Sequence, residues 1–339
     1  MRRDCTLKIM KAQRNQKIEI ISFMAMLCVV WWHCYCGSQV ERWFIPVVCV
    51  WSVPWFFFLS GVLFRRTLDT KGRGEVVASK VHSLLIPYIL WCAIGAVLTS
   101  LVKTGGGGVL LAFAISSSQI HPWGNNALWY VRSLLIFMVF TMLVDCLFRK
   151  LLGWQKAVVA MVVLALILLT TRFIVNLGPL SSGFYFVLGM TLSEKILNHD
   201  SFNERVSAIV GLGCMVAAVS LRVFWFRLGY DFINPGGNLL ANMSVVAFLA
   251  GLWFLSGLLP EGFARTKTLC HFLPLTAFVY FMHYPVNDLI KHHLHSTDML
   301  SSDCRFVLLC IFAPLLYLSM AWLAKTWFGK LYALLSGGR

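Results

Sequence analysis

Charge is scarce in this chain of 339 residues, and acid is scarcer than base: 14 Asp and Glu stand against 29 Lys and Arg. Charged residues make up 13% of the sequence and hydrophobic ones 59%. A soluble protein of this size could not cover so much apolar surface, so a soluble globular fold is excluded and a polytopic membrane protein is expected. The eleven cysteines are scattered singly through apolar runs, as at Cys28, Cys49, Cys146, Cys214 and Cys310. That pattern excludes a disulfide framework, and with no CxxC pair no metal is expected. The sequence also lacks an internal repeat and any linker long enough for a separate soluble domain. Its TGGGG run at 104–108 is not a phosphate loop, because no Lys-Ser/Thr follows it. A net charge of +15 would suggest nucleic acid in a soluble protein. Here basic loops held on the cytoplasmic side explain it, and no nucleic-acid partner is expected.

What the chain does have is apolar length. Crossing a bilayer takes about 20 mostly apolar residues, since about 30 Å of hydrocarbon is covered at 1.5 Å per residue. Ten stretches qualify, at 18–36, 43–64, 82–102, 127–147, 155–175, 182–197, 205–226, 238–259, 268–288 and 305–328. The sixth is short and interrupted by Gly183 and Gly189. Prolines within the stretches, such as Pro54, Pro87, Pro274 and Pro314, are tolerable where neighbouring helices satisfy the freed backbone groups. The fold expected is therefore all-α, a membrane helix bundle of about ten spans.

Basic residues then set its direction. Arg2, Arg3, Lys8, Lys11, Arg14 and Lys17 precede the first span, and Arg65, Arg66, Lys71, Arg73 and Lys80 follow the second. The alternate loops carry mostly single charges, such as Arg42, Lys103 and Arg172. The positive-inside rule puts both termini in the cytoplasm, as an even number of spans requires. The expected organisation is a basic cytoplasmic segment at 1–17, a transmembrane domain at 18–330 and a cytoplasmic tail at 331–339. The basic start and apolar run resemble a signal peptide, but the run ends in bulky WWHCYC without a small-residue cleavage site, so a retained first helix is expected.

Polar residues gather at one depth. His33 comes near the outer end of the first span, and "LTAFVYFMHYPVND" brings His283 near the outer end of the ninth, just before Pro285. Between the third and fourth spans the outer loop reads "IHPWGNNALWYVR", with His121, Asn125, Asn126, Trp129 and Arg132. If the fourth helix begins early enough, Asn125, Asn126, Trp129 and Arg132 share a face at spacings of three and four, as do His283 and Asn287. Imidazole, amide, indole and guanidinium groups together suit a polyhydroxyl acceptor. Titratable side chains within a span are expensive and mark functional sites. The plainer readings are that the histidines only bond neighbouring helices, that Arg132 snorkels, and that Trp31, Trp32, Trp43 and Trp123 are interfacial belt residues. His292, His293 and His295 form an HHxH cluster with no carboxylate-and-helix scaffold to make it a metal site.

These stretches resemble the acyltransferase-3 family of bacterial integral-membrane acyltransferases. "IEIISFMAMLCVVWWH" is similar to its first helix, "PWFFFLSGVLFRR" to its second and "KVHSLLIPYILW" to the start of its third. "NALWYVRSLLIF", "GFYFVLGM" and "LTAFVYFMHYPV" resemble its fourth, sixth and ninth. The resemblance implies an O-acyltransferase of the bacterial inner membrane. It would move an acyl group, usually acetyl, from cytoplasmic acetyl-CoA to a hydroxyl of an extracytoplasmic or lipid-linked glycan. Acetyl-CoA would be the donor, with no cofactor held permanently. The partners implied are acyl-CoA, a cell-envelope glycan or lipid-linked sugar, and membrane lipids. His33 matches the family's essential first-helix histidine, and Arg132 and His283 join it as candidate catalytic groups. Arg65 and Arg66, with Lys80 nearby, would meet the donor phosphates, a sound pairing because planar guanidinium binds phosphate bidentately. His121, Asn125, Asn126 and Trp129 would meet the acceptor. The chain departs from the family where Arg or Lys usually stands eleven residues before the histidine: that position is Ser22. A multi-span transporter or flippase, and a relative that has lost activity, are the rival readings.

Overall fold

The computed structural model describes residues 2–104, 125–156, 158, 159, 161, 162, 182–197, 203–229, 235–260, 263, 266–294 and 300–338. Most of the fifth expected span, the glycines at 105–108, His121 and His295 lie outside these residues. The side chains of Asn126, His292 and His293 lie outside the described part as well. Among the described residues every regular element is helical. Five helices among the described residues are long and apolar enough to cross a membrane: Gln39–Thr70, Arg73–Leu98, Glu204–Arg227, Leu239–Ser256 and Ser302–Trp327.

In chain order, α1 is Arg2–Trp32, α2 Gln39–Phe44, α3 Ser52–Thr70, α4 Arg73–Lys80 and α5 Ile86–Thr104. Single π-helical turns at Ile45–Cys49 and Val81–Leu85 precede α3 and α5. They are followed by α6 Trp129–Lys150, α7 Gly183–Leu197, α8 Glu204–Arg227 and α9 Pro235–Ser256. The chain ends with α10 Lys267–Phe272, α11 Thr276–Leu294, α12 Ser302–Trp327 and α13 Gly329–Ser336. The chain divides into two compact units.

The first unit comprises Met1–Ala25, Pro46–Thr70 and Thr141–Leu273. Its two helix pairs are built on small residues. In the α3–α7 pair a Cβ at Gly61 would overlap the Phe186 carbonyl, and one at Gly189 the Phe58 carbonyl. The backbones are that close because neither residue has a side chain. Ser193 Oγ donates to Val62 O at 2.9 Å across the same pair. Gly189, which reads in the sequence as an interruption, lies inside a continuous helix and is its contact point. In the α8–α9 pair Gly211 meets Leu255 and Gly251 meets Met215. Arg222, missed in the sequence, is buried in α8, donates from Nε to Pro46 O at 2.6 Å and lies 4.3 Å over the Trp225 ring. Ser22 accepts the Trp55 indole N–H at 3.1 Å.

The second unit comprises Met26–Ile45, Lys71–Phe140 and Pro274–Arg339. Here α11 packs with α5, α12 and α13. The last helix is held against the bundle: Trp91 Nε1 donates to Leu335 O at 3.0 Å, and Tyr332 stacks on Phe278 at 4.9 Å. Beyond it Gly337 takes a left-handed conformation, φ 74°, where a side chain would strike the Ser83 backbone. Burial in this contact pushes the Tyr332 hydroxyl pKa up to about 12.

Candidate functional site

The site grows from the end of α1. Its last turn tightens, His33 N–H pointing to Val29 O at 3.3 Å and Val30 O at 3.1 Å, so His33 lies just past the helix proper. Unsatisfied carbonyls at such an end need donors, and Asn287 Nδ2 donates to His33 O.

The chain after His33 turns at Gly37, φ 76°, and is tied down by two carboxylates. Buried Glu41 accepts the N–H groups of Cys36, Gly37 and Ser38 at 2.8, 3.1 and 3.3 Å. Asp303, in the first turn of α12, accepts Ser38 Oγ at 2.5 Å and the N–H of Gln39 at 2.9 Å. Ser38 and Glu41 form a capping box that starts α2, satisfying orphan N–H groups reciprocally. The Ser-x-x-Glu spacing at 38–41 is visible in the sequence; the reach of Asp303 is not.

Against this end lies the middle of α11. The ring centroids of His33 and His283 are 5.1 Å apart, and the Tyr284 ring meets His33 edge-on at 5.0 Å. His283 is fully buried, and its Nδ1 is 2.6 Å from Tyr280 O. A carbonyl oxygen only accepts, so Nδ1 carries the proton and the neutral ring keeps its lone pair on Nε2. Among the described residues that Nε2 is buried without a hydrogen-bond partner. The expected spacing of His283 and Asn287 holds: one helical turn apart, both reach His33, one by its ring and one through the backbone.

The other expected residues divide. Asn125 is fully buried, but the helix it was expected to open starts later, with a 3₁₀ turn at Asn126–Leu128 and α6 only from Trp129. Its Nδ2 donates to Phe281 O at 3.0 Å, two residues before His283. Trp129 and Arg132 are half-buried, and the Arg132 charge acts on Tyr88 and Cys92 of α5. Arg65 belongs to the first unit, where its guanidinium forks onto Asp69, Nε and Nη2 each at 3.0 Å, and reaches buried Asp145 at 3.4 Å. Arg66 is exposed and Lys80 half-buried.

A protein-family model described as an acyltransferase domain, Acyl_transf_3, matches residues 15–324. The chain belongs to the acyltransferase-3 family. Searches of curated proteins and of solved structures find no match. The family domain and the apolar helices together fit a membrane acyltransferase, and the acyltransferase-3 match spans both the His33 turn and α11.

The engagement of Arg65 yields a first expected result. Removing one partner of a buried ion pair leaves an uncompensated charge, at a cost of about 3–5 kcal/mol. Arg65→Gln is expected to lower the unfolding temperature of the detergent-solubilised protein, and the added change Asp145→Asn to restore most of it. Arg66→Gln, at an exposed position, is expected to leave that temperature unchanged.

Proposed function

We propose that this protein is an integral-membrane O-acyltransferase that moves an acetyl group from cytoplasmic acetyl-CoA to a hydroxyl of an extracytoplasmic or lipid-linked glycan. The observation that carries the reading is the His33–His283 pair, 5.1 Å between ring centroids, within a chain of this family. Both termini are cytoplasmic in this proposal, supported by the Lys/Arg asymmetry along the sequence, and the membrane is the bacterial inner membrane.

The chemistry follows from the imidazoles. Neutral His33 takes the proton of the acceptor hydroxyl as its oxygen attacks the thioester carbonyl. The tetrahedral intermediate collapses, the C–S bond breaks, and the departing coenzyme A sulfur receives the proton from His33. A base with a pKa near the working pH suits both steps, and such a group contributes about 10²–10⁴-fold. The protonated Nδ1 of His283 leaves Nε2 able to accept a hydrogen bond from an imidazolium on His33, which would steady the charge formed there. On the donor side, Arg66 is better suited than Arg65 to hold phosphate, because the Arg65 fork is already filled by Asp69 and Asp145. Arg132 has surroundings of its own at Tyr88 and Cys92, so the proposal rests on the two histidines.

Transfer of radiolabelled acetyl from acetyl-CoA to cell-envelope glycan, in membranes with and without the protein, tests the reading. Protein-dependent label in the glycan is expected. Movement of unmodified glycan across the membrane without label would instead assign a flippase.

A further inference from the structure

Pro285 stands inside α11, a helix that continues beyond it to Leu294. Proline has no N–H, so it cannot bond the carbonyl four residues back, and its ring crowds that carbonyl. In α11 that carbonyl belongs to Phe281. Its lost donor is replaced from outside the helix: Asn125 Nδ2 donates to Phe281 O at 3.0 Å. The adjoining carbonyl, Tyr280 O, takes Nδ1 of His283 at 2.6 Å. The Tyr280 hydroxyl donates to Ala127 O at 2.8 Å, tying the same turn of α11 to the segment that carries Asn125. One turn later Asn287 donates to His33 O.

We infer that Asn125 is a positioning residue: by donating to the carbonyl that Pro285 orphans, it fixes the turn of α11 that holds His283 beside His33. The sequence leads one to expect Asn125 at the acceptor; the bond it makes here is to the backbone of α11. One N–H of its amide is used on the backbone, its Oδ1 has no hydrogen-bond partner among the described residues, and the side chain is wholly buried. An unbonded carbonyl in a membrane interior is costly. Without Asn125 the turn would rotate or straighten to find another donor, and the imidazole anchored on its neighbouring carbonyl would move with it. The inference rests on the acyl-transfer reading only for its activity readout.

The test is a double-mutant cycle between Asn125 and Pro285, which separates a shared interaction from two independent effects. With Pro285 present, Asn125→Ala is expected to lower kcat by roughly tenfold with the KM for both substrates unchanged, the size of one charge-free hydrogen bond to a buried group. In the Pro285→Ala background the helix supplies its own N–H to Phe281 O, and the same change is expected to cost less than about threefold. Unfolding temperature in detergent follows the same cycle and needs only folded protein: Asn125→Ala should destabilise much more with proline at 285 than with alanine. Equal effects of Asn125→Ala in both backgrounds would overturn the inference. So would a rise in acceptor KM that Pro285→Ala fails to relieve, which would return Asn125 to the acceptor. If the unmodified protein transfers no acetyl, the cycle on unfolding temperature still reads the Asn125–Pro285 coupling, and only the acyl-transfer reading falls.

Discussion

Replacing His33 by glutamine is expected to abolish acetyl transfer, by about 10²–10⁴-fold, while leaving the protein folded and inserted. Glutamine can donate and accept hydrogen bonds but cannot take up a proton near neutral pH, so it separates chemistry from helix contact. The structure makes the comparison clean. Asn287 holds this residue through its backbone carbonyl, which every amino acid supplies. The carboxylates of Glu41 and Asp303 hold the residues that follow, 36–40. The turn should therefore survive the loss of the ring. His33→Ala is expected to match glutamine in turnover, and both should match the unmodified protein in abundance and unfolding temperature. Turnover is measured per folded molecule in membranes, because an interhelical side-chain bond contributes only about 0.6–2 kcal/mol. Near-normal turnover of His33→Gln would make the ring a structural contact and leave His283 as the candidate base.

The helical class is legible in the sequence, because apolar runs of span length force backbone groups to pair within their own segment. The meeting of His33 with His283 is legible as well, from the equal depth that the sequence leads one to expect of them. The roles around them are not. Pro285 announces that Phe281 O needs a donor, but sequence spacing cannot say that the donor lies 156 positions away at Asn125. The second carboxylate on Arg65 is hidden for the same reason: Asp69 is an i,i+4 neighbour that the sequence offers, while Asp145 is 80 positions distant. For Asn125 the helix start misleads. A run reading NNALWYVR fits an early helix equally well, whereas the structure opens it with a 3₁₀ turn at Asn126–Leu128 and starts α6 at Trp129.

Glycine is the least legible residue of all, because the sequence cannot distinguish a flexible break from a close approach, and the first unit contains both open glycines and tightly packed ones. Gly213 in α8 has no described atom within 4 Å of where a side chain would begin, whereas Gly61 and Gly189 face backbone carbonyls across the α3–α7 pair. Gly213→Ala is expected to be neutral or stabilising, since glycine within a helix costs up to about 1 kcal/mol relative to alanine. Gly189→Ala should behave in the opposite way. Its methyl would overlap the Phe58 carbonyl, with Val62 N a further 3.1 Å contact, and backbone atoms cannot rotate aside as a side chain can. The pair must then move apart, loosening the Ser193 bond to Val62 O and the Phe64–Phe186 contact at 5.8 Å. Overpacking of this kind costs about 1–3 kcal/mol for a methyl and more for a larger group. Gly189→Leu is accordingly expected to prevent accumulation of folded protein, and Gly189→Ala to lower the unfolding temperature in detergent while Gly213→Ala does not. Equal unfolding temperatures for the two alanine variants would mean that the α3–α7 backbones are not held in contact.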